Sequence, residues 1–302
     1  MSENTRSKFQ FIDQEDLRKV NYQANQEILT VINLAHTLQK PILLEGPPGS
    51  GKTSIALAVA KTLDYSLVRV QCYEGITAEQ VIGEFDYKKQ LLTIQLAQLQ
   101  EQNPSAELKE TIFTEEYFIK RPLLYAFSSP KPIVLLIDEI DESDAEFEAF
   151  LLEALGENQI TVPELGTFQK PAKDLLVFLT SNAARDLSEP LRRRCLYLYL
   201  DFPTPQQEKE ILKLHCPSAD LQFLEIICHF IEIIRRKDLR KVPSVAETID
   251  WVKALSAIGI NSIEEDYSPL KQTLSVILKH QNDLTTVQKE FNSIIQKMPR
   301  RD

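Results

Sequence analysis

A chain of 302 residues exceeds what one small core covers, so one large domain or two modest ones are expected. With 43% hydrophobic and 26% charged residues it has an ordinary globular composition, and no segment approaches the ~18–20 uninterrupted apolar residues that a membrane span needs. Lys and Arg number 34 against 44 Asp and Glu, a formal charge of -10, which disfavours bulk binding to a phosphate backbone but leaves room for a local basic patch.

The polar start Met1-Ser2-Glu3-Asn4-Thr5-Arg6 lacks an apolar leader core, and Cys72, Cys195, Cys216 and Cys228 follow no disulfide-framework spacing. A reducing, cytoplasmic location is therefore expected. His215-Cys216 and Cys228-His229 lack the ligand spacing of common zinc sites, and buried free cysteine is the expected reading.

In chain order, residues 1–15 read as a polar tail. Residues 16–39 carry Ile28, Val31, Ile32, Leu34, Ala35 and Leu38 at helical spacing. Pro41 to Glu45 is a short apolar run ending in glycine and proline, a buried strand, and Ser54 to Leu63 reads as a helix. Leu67 to Val70 is a second strand, and Gly75 to Gln102 looks helical with an interruption around Gly83 to Tyr87. Ile133 to Ile137 is a charge-free β-branched run suited to a central parallel strand. Phe147 to Leu155 reads as an amphipathic helix stopped by Gly156. Gln159 to Val162 and Gly166 to Gln169 bracket a turn, and Leu175 to Leu179 is another buried strand.

Alternation of strand and helix ends near Asp201 to Pro205, and the remaining pattern is helical: Glu208 to Leu214, Leu221 to Ile234, Ser244 to Ala257, and a weaker run from Leu270 to Ile295. Ser244 followed by Glu247 is a capping box that fixes a helix start. The expected organisation is an α/β domain over residues 16–203, a parallel sheet with helices on both faces, and a smaller all-helical lid over 204–302.

Gly46-Pro47-Pro48-Gly49-Ser50-Gly51-Lys52-Thr53 follows a strand and opens a helix, the context that a phosphate-binding loop requires. Its glycines let backbone amides curl round an anion, and the helix that follows points its positive end at the same place. Lys52 is expected on the β- and γ-phosphates of ATP, Thr53 on Mg²⁺, and Ser54 beside them. The strand ending at Asp138-Glu139 supplies an Mg²⁺ ligand in Asp138 and a group in Glu139 to orient or deprotonate water. Asn182 either holds that water or simply closes a strand. Arg192, Arg193 and Arg194 are three successive arginines that cannot all face one pocket.

Taken in order, these elements resemble the AAA+ ATPases, and within them the MoxR group, CoxD-like branch. The resemblance runs from about residue 20 to 260 and rests on Arg69 to Gly75, Tyr87 to Leu92, Phe147 to Glu153, Thr161 to Thr167 and Leu191 to Leu198. It implies a P-loop NTPase fold, Asn182 as a sensor of nucleotide state, and one of Arg192, Arg193 and Arg194, with Arg194 nearest the family's position, as a finger reaching a neighbouring subunit of a homo-hexameric ring. It implies also a client protein, a metalloenzyme among the candidates, and a partner bearing a von Willebrand A domain. Phe85 and Tyr87 become pore candidates. The arginine that many relatives carry where this chain has Ser244-Val245-Ala246-Glu247 is missing, with Arg240 or Lys241 as substitutes from the preceding turn. The rival readings are a nucleic-acid remodelling ATPase, for which Arg235-Arg236-Lys237 with Arg240-Lys241 is the only cluster, and a small-molecule kinase.

Overall fold

The computed structural model describes residues 11–99, 112–171, 174–263 and 266–298. The chain begins with α1 (Gln14–Lys19), α2 (Gln26–Leu38), β1 (Ile42–Glu45), α3 (Lys52–Leu63), β2 (Ser66–Gln71), α4 (Ala78–Ile82), β3 (Gly83–Phe85) and α5 (Tyr87–Leu99). There follow β4 (Phe118–Lys120), α6 (Pro122–Ser128), β5 (Ile133–Asp138), α7 (Ala145–Glu157), β6 (Gln159–Val162), β7 (Gly166–Gln169), β8 (Leu175–Ser181), α8 (Glu189–Arg194) and β9 (Leu196–Tyr199). The helical remainder is α9 (Pro205–His215), α10 (Leu221–Arg235), α11 (Val245–Ala257), α12 (Ser268–Gln272) and α13 (Gln281–Gln296). The fold is the P-loop NTPase fold that the sequence predicts, a five-stranded sheet followed by helices.

These elements fall into two compact units, one holding Thr30–Glu45 and Val59–Leu198, the other Met1–Leu29, Gly46–Ala58 and Tyr199–Asp302. In the first, the sheet order is β2-β5-β8-β1-β9, with β2, β5, β8 and β1 paired in parallel. Every residue of β5 and β8 is buried, as strands covered on both faces must be. On one face, Ile133, Leu135, Ile137, Leu175, Val177 and Leu179 join Val68, Leu123, Phe127, Phe147 and Leu151 in one core. The register sets Gln71 opposite Asp138 and Glu45 opposite Ser181, so β2, β5, β1 and β8 end along one edge of the sheet.

In the second unit, α9, α10, α11 and α13 bury Leu212, Phe223, Ile227, Phe230, Trp251, Val287 and Phe291 together. The Trp251 indole is fully buried and donates its N–H to Thr273 Oγ1 at 2.7 Å. Beside this core Arg235 makes a two-pronged ion pair with Glu208 (2.7 and 2.9 Å) and donates to the Pro243 carbonyl at 2.8 Å. Ser244 then caps α11 through the Glu247 amide, and the Glu247 carboxylate returns to the Ser244 amide, the capping box that the sequence predicts.

Four expectations are corrected. The single helix over 16–39 is two, because Asn21 adopts a positive φ of 62° and ends α1. Helix α7 runs through Gly156 and stops at Asn158, whose left-handed conformation (φ 51°, ψ 41°) asparagine tolerates. Phe85 is buried edge-to-face against Phe113 and Phe118, not exposed as a pore candidate should be, whereas Tyr87 is exposed. The run from Leu270 to Ile295 breaks into α12, a 3-10 turn at Leu274–Val276 and α13. The far end of the Gly75 to Gln102 helical reading lies outside the described residues.

Candidate nucleotide site

The sequence-predicted residues form two groups, one in each unit. The first is the loop from Gly46 to Thr53, which the chain enters directly from the last residue of β1. Lys52 is buried and donates its ammonium to the Gly46 and Pro47 carbonyls at 2.8 and 2.9 Å, so its charge already lies over the loop. The Ser50 hydroxyl oxygen is buried and has no partner among the described residues. An orphaned hydroxyl, a lysine and the start of α3 together fit a phosphate chain.

Two glycines are sterically required. A Cβ on Gly46 would fall 2.0 Å from the Leu200 carbonyl oxygen. One on Gly49, at φ +82°, would fall 2.3 Å from Ser244 Cβ. The N-cap of α11 therefore rests on the loop, and the Val245 amide donates to the Gly49 carbonyl at 3.4 Å. Gly49→Ala is expected to add ~1–2 kcal/mol of left-handed strain and to displace Ser244. Titration with a fluorescent ATP analogue should show affinity reduced by roughly tenfold, the equivalent of ~1.4 kcal/mol.

The second group gathers where β5 and β8 end. Glu139 takes a left-handed conformation (φ 57°, ψ 50°), as does Ala183 (φ 57°), and such strain in non-glycine residues concentrates at functional turns. Thr180 ties the turn down: its hydroxyl donates to Asp138 Oδ1 at 2.5 Å and accepts the Glu139 amide at 2.9 Å. The buried Asp138 also meets Arg69 at 2.5 Å. Gln71 Nε2 donates to Glu139 Oε2 at 2.7 Å, and Asn182 Nδ2 lies 3.5 Å from Glu139 Oε1. Asn182 is therefore brought to Glu139. Burial, and then the carboxylates of Asp138, Asp141 and Glu139, push the neighbouring Cys72 thiol up to about 12. Asp138 and Glu139 thus offer carboxylate oxygens at this turn, the donor type that Mg²⁺ takes.

Behind this turn, Asp141 Oδ2 accepts the amides of Asn182 and Ala184, both at 2.9 Å. Arg185 donates to the Ser143 carbonyl and contacts the buried Glu148. Glu148 in turn accepts the Ser188 amide at the head of α8. The three arginines of α8 diverge. Arg192 pairs with Glu45 at 2.8 Å, Arg194 donates to the Leu152 carbonyl at 2.7 Å, and Arg193 is 77% exposed beside Glu189.

The chain is similar to known proteins. Residues 41–195, just over half of the chain, match the AAA domain (dynein-related subfamily). The chain belongs to this family. AAA domains are nucleotide-binding ATPases, and that is the activity class of this chain. An uncharacterized protein of Staphylococcus epidermidis is 26% identical over 72% of this chain and 76% of its own length. The gas vesicle ATPase GvpN of Haloferax mediterranei is 24% identical over 66% of this chain, which spans 57% of that protein. Midasin of Giardia intestinalis is 26% identical over 70% of this chain, which spans 4% of midasin. A solved RuvB variant from Thermotoga maritima superimposes with a TM-score of 0.50 at 21% identity, covering 96% of this chain and 80% of that one, a likeness of fold alone.

Sequence reasoning missed Thr180, Gln71, Arg69, Asp141, Arg185 and Glu148. A threonine ending an otherwise apolar strand, and acids and an arginine within a few residues of Glu139 and Asn182, were the available signals. Among the described residues no group of three or more His, Cys, Asp or Glu is placed to hold a metal, and no helix is long and apolar enough to cross a membrane.

Proposed function

We propose that this chain is a Mg²⁺-dependent, ring-forming ATPase of the MoxR type, CoxD-like branch, that remodels or matures a client protein in the cytoplasm. The residue stretches quoted above support the branch. The observation that carries the ring is Arg193, displayed to solvent with, among the described residues, only an exposed contact to Glu189 one turn back on its own helix, whereas Arg192 and Arg194 are tied to other elements. The division into an α/β domain to residue 203 and a lid beyond it is part of the same proposal.

In this reading the amides of Gly46 to Thr53, with Ser54 at the start of α3, receive the phosphates and Lys52 balances their charge. Thr53 and Asp138 would hold Mg²⁺, which would offset negative charge on the phosphates. Glu139 takes the proton of the attacking water as its oxygen bonds to the γ-phosphorus and the bond to the β–γ bridging oxygen breaks. Asn182, adjacent to Glu139, orients that water. Arg193 of one protomer, with Arg194 the alternative, meets the charge that develops on its neighbour's γ-phosphate. Tyr87 remains exposed as a client contact. A homo-hexamer and a von Willebrand A partner complete the proposal.

The basic cluster that a nucleic-acid motor would use is largely neutralised. Arg235 pairs with Glu208, Arg236 with Glu232, Lys237 with Glu290 and Lys241 with Glu247. ATPase rates are therefore expected to stay unchanged on adding DNA or RNA. Arg193→Ala is expected to lower kcat at least tenfold with nucleotide affinity kept, roughly 1.4 kcal/mol or more of transition-state stabilisation. Full activity in both Arg193→Ala and Arg194→Ala would sink the ring reading.

A further inference from the structure

Glu148 is an acid almost wholly removed from water, on a helix that carries no part of the phosphate loop or the acidic turn. A buried ion pair is seldom the cheapest way to stabilise a core, since apolar replacements of similar volume often do as well or better. Its value here lies in what it joins. One carboxylate oxygen accepts the Ser188 amide, the N-cap of α8, at 2.9 Å. The other meets Arg185 at 2.5 Å, a charge contact, while the guanidinium N–H groups aim at the carbonyls of Ser143, Ile140 and Asp186. Ser143 closes the 3-10 turn that Glu139 opens. Four residues along α7 from Glu148, on the same face, the Leu152 carbonyl receives Arg194. Helix α7 therefore grips α8 at both ends and is anchored through Arg185 to the turn that bears Glu139.

We propose that Glu148 is a positioning residue: it sets α8, and with it Arg193, in register with the Glu139–Asn182 turn of the same chain. The arginine that a protomer presents to its neighbour is then placed by its own hydrolytic turn. This rests on the ring reading above.

The test uses the full chain carrying Glu148→Gln, which keeps the acceptor for Ser188 but loses the charge that meets Arg185. A second variant is Ser188→Pro, whose native φ of -59° already suits proline and which removes the amide N–H together with a buried hydroxyl that has no hydrogen-bond partner among the described residues. Melting temperature, ATP-analogue affinity and oligomeric state report on fold. Expected are an affinity within about twofold of the parent, an unchanged oligomer, and kcat at least tenfold lower at nearly constant KM. The deciding measurement mixes either variant with Glu139→Gln chains. An intact α8 on the Glu139→Gln protomer should serve the intact Glu139 of the other variant, so the mixture should exceed either protein alone several-fold. No gain on mixing overturns the proposal, as does a loss of affinity and KM in step with kcat. If Arg193→Ala and Arg194→Ala both keep full activity, the ring reading has failed instead.

Discussion

Glu139→Gln is expected to slow ATP hydrolysis by roughly 10²–10⁴-fold, the range general-base catalysis usually supplies, while nucleotide affinity changes by less than about threefold. Glutamine fills the same volume and keeps an oxygen that can accept from Gln71 Nε2, so the left-handed turn retains its side-chain anchor. The Thr180 hydroxyl holds the residue-139 amide, and that contact is indifferent to the substitution. What is lost is the proton acceptor. Single-turnover phosphate release would check the rate, and analogue titration the affinity. A variant that hydrolyses at the parental rate would remove Glu139 from the chemistry.

Glu208→Ala is expected to cost ~3–5 kcal/mol of stability, because it strands the Arg235 guanidinium in a site shielded from water. The pair is well buried, with 9% of the Arg235 side chain and 1% of the Glu208 side chain exposed, so solvent screening offers little relief. Arg235 also stacks over the Phe202 ring at 4.5 Å and holds the Pro243 carbonyl, immediately before the α11 cap. Joint replacement by Glu208→Leu and Arg235→Met should recover much of the loss. Urea unfolding of the parent, both single variants and the double variant would measure the coupling. A single-variant cost within ~0.5 kcal/mol, the range of ordinary surface substitutions, would contradict a sealed ion pair.

Local signals made much of the fold legible. Charge-free runs at Ile133 and Leu175 became the central strands because a strand covered on both faces admits only apolar residues over its length. The Ser244–Glu247 spacing fixed a helix start because two side-chain contacts three residues apart are local chemistry. The helix stop at Gly156 failed for an equally local reason, since Asn158 could take the left-handed cap two residues later. Asp138, Glu139 and the phosphate loop were legible because strand-to-turn spacing marks them. Gln71, Asp141, Arg185 and Glu148 were not, because their partners come from other strands and helices, and pairings such as Gln71 with Glu139 exist only once the sheet register is set.

The contact between Ser244 and Gly49 has a thermodynamic corollary. Whatever free energy a nucleotide gains by bracing Gly49 against the α11 cap, the helical core beyond that cap gains in return, because linkage between two equilibria is reciprocal. The melting of the Trp251 core would then act as a gauge of nucleotide concentration, rising by ~2.7 kcal/mol in stability at a hundredfold excess over Kd.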